Sequence, residues 1–201
     1  MIRNIVFDMG NVLVYFDPLC YYDLAAEEKK QLLRVTNQSA DWPLMDWGVI
    51  DEAEMLRRVR TKLPEKLYPI AEHMILRWNE PLQEVPGINA LIGELKGKGY
   101  GIYVLSNASR RALTYWPTFP VSRFFDGAVF SAPEGYMKPQ PELYRILLER
   151  YHLRAEECVF IDDRAVNATG ALYVGMQAVV FEDAAYLRHQ LRELGVDVEG
   201  A

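Results

Sequence analysis

The chain has 201 residues, half of them hydrophobic, with 22 Lys and Arg against 28 Asp and Glu and a formal net charge of −6. That composition fills one good core with room for a small accessory unit, and it excludes a disordered chain. The acidic balance, without long charge runs, argues against nucleic acid or an anionic membrane as the main partner.

Only Cys20 and Cys158 are present, with no CxxC and no Cys/His cluster, so neither a disulfide scaffold nor a structural zinc site is indicated. No window of about 18 apolar residues occurs and no signal-like segment opens the chain. An unprocessed cytoplasmic protein is the expectation.

The first element lies in residues 2–14, IRNIVFDMGNVLV. Ile5, Val6 and Phe7 read as a strand covered on both faces, which delivers Asp8 to its carboxyl end just before a loop at Gly10. An acid there is badly placed for stability and well placed for chemistry, although Asp also opens such loops for turn reasons alone.

From residue 15 to about 80 the pattern is helical. Residues 25–35, 51–63 and 69–78 carry the three-and-four spacing of amphipathic helices, and Asp51 with Glu54 reads as a capping box. Trp42, Trp47 and Trp78 fall here and are expected to pack this segment. Tyr15, Phe16 and Asp17 open it and are candidates to touch a ligand.

From Val85 onward helices and strands alternate. A helix with Ile88, Leu91, Ile92 and Leu95 ends in Lys96-Gly97, and a strand over 100–105 follows. Helical turns over 110–116 lead to a short strand at 128–130. A helix over 139–151, a strand at 158–161, a helix over 166–173, a strand at 177–181 and a last helix complete the chain. Such alternation predicts an α/β fold with a doubly wound, Rossmann-like parallel sheet. The boundaries are a core of residues 1–14 and 81–201 and an inserted helical cap of residues 15–80.

In open parallel sheets ligands bind beyond the carboxyl ends of the strands. The residues leaving those ends are Asp8, Ser106 with Asn107, Lys138, and Asp162 with Asp163. Carboxylates bind a hard divalent cation through oxygen, while Lys138 and Ser106 suit phosphoryl oxygens. Singly, Ser106-Asn107 reads equally well as a helix cap and Lys138 as a solvated cation. Asp162-Asp163 is harder to dismiss, because adjacent acids at a buried strand end repel unless a cation joins them.

The order of FDMGNVL, VLSN, MKPQPELY and VFIDD followed by RAVNATGA resembles the haloacid-dehalogenase-like superfamily over essentially the whole chain. The resemblance implies that Asp8 is a nucleophile forming an aspartyl-phosphate, that Ser106 and Asn107 contact substrate, and that Lys138 balances charge between Asp8 and phosphate. It implies Mg2+ held by Asp8, the Gly10 carbonyl, Asp162 and Asp163, and a first strand lying between the second and the fourth. The substrate class would be a small phosphorylated metabolite, with a sugar phosphate leading.

One departure stands out. Phosphatases of the superfamily usually carry a second Asp two residues after the nucleophile, where this chain has Gly10. That removes acid–base help worth about 10²–10⁴ in rate. The DxGNV form is similar to the bacterial α-D-glucose-1-phosphate phosphatase branch, and an anomeric alkoxide is a better leaving group that needs less protonation. Two rivals follow from the same residues: a metal-independent 2-haloacid dehalogenase, similar in the NATGA run of residues 167–171, and a non-catalytic phosphometabolite-binding protein. His73, His152 and His189 fall outside the motifs. Arg110 and Arg111 could reach a second anionic group or simply mark a helix start. Monomer and homodimer both stay open.

Overall fold

The computed structural model describes residues 1–199. Five parallel strands, β1 (Asn4–Phe7), β2 (Gly101–Ser106), β3 (Gly127–Phe130), β4 (Cys158–Asp162) and β5 (Gln177–Val180), form one sheet in the order β3-β2-β1-β4-β5. The first strand is therefore central, flanked by the second and the fourth as expected. Phe7 stands level with Val104 on one side and Ile161 on the other. That register brings Asp8, Ser106 and Asp162 to one edge of the sheet.

Side chains alternate across each strand and so feed two cores. Ile5, Phe7, Ile102, Val104 and Ile161 face one way, under α5 (Ile88–Gly97) and, later in the chain, Leu187 and Leu191. Val6, Leu105 and Phe160 face the other, beneath Leu143, Tyr144 and Leu147 and, further on, Ala171. Each central strand is apolar throughout because it is covered twice.

Residues 15–80 contribute no strand to the sheet. Their helices are α1 (Ala26–Val35), α2 (Asp41–Asp46), α3 (Glu52–Arg60) and α4 (Tyr68–Leu76). Leu32, Met45, Met55, Val59, Met74 and Ile75 gather into a third hydrophobic cluster of their own. The chain enters and leaves this segment side by side, with Tyr15 N–H donating to Gln83 O and Val85 N–H to Leu13 O at 2.8 and 3.0 Å.

Several local expectations need correction. Residues 15–25 are turns and irregular chain rather than helix, and the six-residue α2, with Pro43 in its first turn, has no apolar periodicity to betray it. Asp51 does cap α3, accepting the Glu54 N–H at 2.7 Å. The Glu54 carboxylate does not reach back as a capping box requires, because Arg57 and Arg58 take it. Beyond β2, residues 112–124 hold a short α6 (Ala112–Tyr115) and 3-10 turns, and β3 runs straight into α7 (Ser131–Glu134). The next helix, α8 (Pro141–Arg150), begins at Pro141 rather than at residue 139, followed by α9 (Ala165–Tyr173) and α10 (Ala184–Glu193).

The helical segment is seated on the strand-end loops by polar contacts. Ser109 Oγ donates to Glu52 Oε1 at 2.6 Å, Arg111 to Leu76 O at 2.8 Å, and Trp47 Nε1 to Gly135 O at 2.6 Å. Ser131 Oγ donates to Asp46 O at 2.5 Å and accepts the Ala108 N–H at 2.9 Å. Gly48, at φ +77°, lies so close to Ala132 that a Cβ would collide with its carbonyl oxygen.

Candidate active site

Beyond the strand ends Lys138 lies between two acids. Its Nζ is 2.8 Å from Asp8 Oδ1 and 2.6 Å from Asp162 Oδ2, and Lys138 is only 4 % exposed. Burial works against the ammonium, but the Asp8 and Asp162 charges outweigh it and hold the lysine above its ordinary value. Burial pushes the Asp8 carboxyl up to about 6, against the pull of Lys138 and with the repulsion of Asp162. Met9 N–H also donates to Asp8 Oδ1, at 2.7 Å.

Asp162 is fully buried. Its oxygens accept from Lys138, from the Asn167 amide at 3.0 and 3.1 Å, and from the Arg164 N–H at 2.9 Å. These bonds fill the acceptor capacity of a carboxylate. Asp163 is half-buried, which raises its carboxyl, and accepts from Asn11 Nδ2 at 3.1 Å. One oxygen each from Asp8, Asp162 and Asp163 lie within 4.8 Å of one another.

The loop after Asp8 is shaped by Asn11, at φ +57°, a left-handed conformation that Asn tolerates better than most residues. Its Oδ1 accepts the Phe16 N–H at 3.1 Å while its Nδ2 meets Asp163. One side chain therefore joins the loop, the acidic pair and the start of the helical segment.

Ser106 is 2 % exposed and lines the cavity beside Asp8. Asn107 also lines it, but its amide is taken. Oδ1 accepts the Lys138 N–H at 2.8 Å and Nδ2 donates to Lys138 O at 3.1 Å. This side chain thus clamps the lysine backbone from the cavity wall.

These groups floor a cavity of about 280 Å³ whose roof is the helical segment. Phe16 stands edge-to-face with Trp42 and Trp78 at 5.6 and 5.0 Å, and Trp78 with Tyr115 at 5.5 Å. Trp42 and Trp78 thus line the cavity as well as pack, whereas Trp47 reaches the core at Gly135. Asp46 also lines it. Burial, aided by the Asp8 charge, pushes its carboxyl up to about 7, with the Trp42 indole opposing.

A family model described as haloacid dehalogenase-like hydrolase matches residues 2–175. The chain belongs to that family. A sesquiterpene phosphatase of Aspergillus oryzae is 26% identical over 94% of both chains. A D-ribitol-5-phosphate phosphatase of Bacteroides thetaiotaomicron is 24% identical over 95% of this chain and 97% of its own. Among solved structures, a magnesium complex of a family enzyme from the same bacterium aligns with a TM-score of 0.70 at 22% identity, over 95% of this chain and 98% of that one. An L-2-haloacid dehalogenase from Xanthobacter autotrophicus aligns at 0.67 and 18%, over 96% and 83%. The fold of this haloacid dehalogenase-like hydrolase is thus shared by more than one chemistry, and side chains must distinguish them.

Asp8, Ser106, Asn107, Lys138 and Asp163 all meet in the cavity of this family member, as does Gly10, with Asp162 directly behind Lys138. The three histidines do not line it, nor do Arg110 and Arg111, the latter being engaged by α4. Phe16 does. The sequence assigns no role to Asn11 or Asp46, and Asn167 figures there only as the start of the NATGA run. Asn11 and Asn167 stand inside the quoted motifs and were within reach, but Asp46 carries no local signal. No helix among the described residues is long and apolar enough to cross a membrane.

Proposed function

We propose that the chain is a Mg2+-dependent phosphomonoester hydrolase working through an aspartyl-phosphate at Asp8. The observation that carries this reading is the Lys138 ammonium between Asp8 and Asp162, with Asp163 close by. A dehalogenase needs a nucleophilic carboxylate but no second and third acid beside it.

The donor set fits magnesium, being made of hard oxygens with acids in excess of the one lysine. Asp8, Asp163 and the Gly10 carbonyl would hold the ion, and Asp162, whose oxygens are taken, would act from behind Lys138. When bound, it would neutralise phosphoryl oxygens and orient them for in-line attack. Asp8 attacks phosphorus, Ser106 holds a phosphoryl oxygen, and Lys138 offsets the charge that gathers between Asp8 and the phosphoryl group. Water then attacks the acyl phosphate, freeing phosphate and Asp8.

The leading substrate is a sugar phosphate such as a hexose 1-phosphate, in keeping with the similarity to the α-D-glucose-1-phosphate phosphatase branch. The aromatic roof offers flat carbon faces for a sugar ring. Asn37 Oδ1, buried without a partner in the cavity wall, suits a hydroxyl donor. Apart from Lys138 the cavity lining has one cation, Arg164. One phosphate on an uncharged alcohol therefore suits it better than a bisphosphate.

The test is phosphate release from hexose 1- and 6-phosphates and pentitol phosphates, with Mg2+ or chelator, beside Asp8→Asn. Release that needs both Mg2+ and Asp8 is expected. Silence across the panel from folded, metal-bound protein would overturn hydrolysis in favour of a phosphometabolite-binding role, and halide release without metal would favour the dehalogenase.

A further inference from the structure

We propose that Asp46, on α2 of the helical segment, is the acid–base residue of this hydrolysis, protonating the departing alcohol and deprotonating the water that follows. The inference rests on the phosphatase reading above and answers the question that Gly10 raises.

The first argument is directional. As the bond from Asp8 oxygen to phosphorus forms, the phosphorus–oxygen bond to the alcohol breaks, and in-line displacement puts that oxygen on the far side of phosphorus. The far side from Asp8 is the helical roof. Among the described residues from positions 15–80 that line the cavity, Asp46 is the one with an ionisable side chain.

The second argument is anchorage. Asp46 is held through its main chain, with its carbonyl accepting from Ser131 Oγ while that hydroxyl accepts the Ala108 N–H two residues beyond Ser106. Gly48, two residues on, seats the chain against Ala132. These anchors are main-chain groups; the carboxyl group itself meets the Trp42 indole of the same helix and lines the cavity.

The third argument is protonation. Burial first, then Asp8 and Glu52, favour the neutral carboxyl, while Trp42 and Lys138 oppose them; the result is about 7. An acid–base group works best near the operating pH. In the first step the Asp46 proton goes to the alcohol oxygen, which leaves with the bonding pair. In the second, water oxygen attacks phosphorus, the bond to Asp8 breaks, and the water proton returns to Asp46. The sum is phosphomonoester plus water giving alcohol plus phosphate.

The competing role for Asp46 is a hydrogen bond to a substrate hydroxyl, and the test separates the two. Asp46→Asn keeps shape and backbone anchors. Its kcat is compared with wild type on the best sugar or alkyl phosphate and on 4-nitrophenyl phosphate, whose phenolate leaves without a proton. We expect kcat on the sugar phosphate to fall about 10²–10⁴-fold. On the aryl ester we expect a burst of one 4-nitrophenol per active site and then slow turnover, as phosphoenzyme accumulates. A Cβ at Gly10 meets nothing within 4 Å and the backbone there is unstrained, so Gly10→Asp added to Asp46→Asn should restore turnover.

An equal loss on both substrates without a burst, a raised KM with kcat intact, or no rescue by Gly10→Asp would each overturn the role of Asp46. Wild type inert on every ester, or an active Asp8→Asn, would instead bring down the phosphatase reading and the role with it.

Discussion

The Asn107 side chain holds both main-chain polar groups of Lys138, accepting its N–H at 2.8 Å and donating to its carbonyl at 3.1 Å. Two loops that follow different strands are thereby locked at the point where the lysine must face Asp8. Each such bond is worth about 1 kcal/mol. Asn107→Ala should lower Tm by a few degrees and kcat by roughly tenfold, the factor that about 1.4 kcal/mol of lost positioning represents, with KM little changed. Thermal melts and steady-state kinetics check it. A KM effect alone would mean that the amide binds substrate instead.

Lys138→Met removes the cation shared by Asp8 and Asp162 and leaves two buried acids facing each other. Breaking a buried pair from one side costs about 3–5 kcal/mol. Denaturant melts should show that loss at pH 7.5, and less of it at pH 5, where the Asp8 carboxyl, already raised to about 6, is mostly protonated. Phosphate release should be abolished at both pH values.

Asn11 donates to Asp163 from outside the expected ligand set. Partners of metal ligands typically affect metal affinity about 10–100-fold. Asn11→Ala should therefore raise the Mg2+ concentration for half-maximal phosphate release by that factor, and Asp163→Asn by more. Chelator should stop wild-type release reversibly, and a magnesium titration of the three proteins gives the order.

Asp46 also predicts a pH-dependent stability. Its carboxyl is raised from 3.8 to about 7 on folding, so between those values the folded protein binds more protons than the unfolded chain and stability falls as pH rises. Asp46→Asn carries no charge to bury. In chelator it should melt a few degrees above wild type at pH 8, with the gain fading as pH falls toward 4. A gain that is constant with pH would show that the carboxyl is not the cause.

Gly48→Ala faces both a positive φ and the Ala132 carbonyl. The strained backbone alone costs upward of about 1 kcal/mol. A lower Tm and a raised KM are expected, since α2 would no longer seat against the strand-end loops. Gly135→Ala, also at positive φ but with nothing near its Cβ, separates backbone strain from collision.

Much of the floor of the site was legible because Asp8, Ser106, Asn107, Asp162 and Asp163 lie at or just beyond the end of a strand whose apolar run is local in sequence. Asp8 and Asp162 needed only the strand ends and the sheet order to be brought together, whereas Lys138, in the loop between α7 and α8, owed its place to the motif resemblance. The roof was not legible for the opposite reason. DWPLMD is too short for a period, Pro43 argues against a helix, and Asp46 owes its place to Ser131, 85 positions away. Asn107 was read for its chemistry rather than for its geometry, and only the approach of Lys138 reveals a clamp. The tryptophans were read as packing, which is half of what Trp42 and Trp78 do.

The seam between the helical segment and the sheet has a mechanical consequence. The hydrophobic cluster around Met55 and Met74 is separate from the two that sandwich the sheet. The contacts through Ser109, Arg111 and Ser131 end on a carboxylate or on carbonyl oxygens that water can satisfy equally well. Trp78 packs on Tyr115 of one sheet core and Gly48 on Ala132, so parting the two units would wet the cavity and uncover the rim of that core, while the isolated bridge between Val14 and Glu84 lies at the foot of the segment. Admitting a substrate by such a parting would therefore cost the aromatic contacts around Trp78 as well as the polar ones.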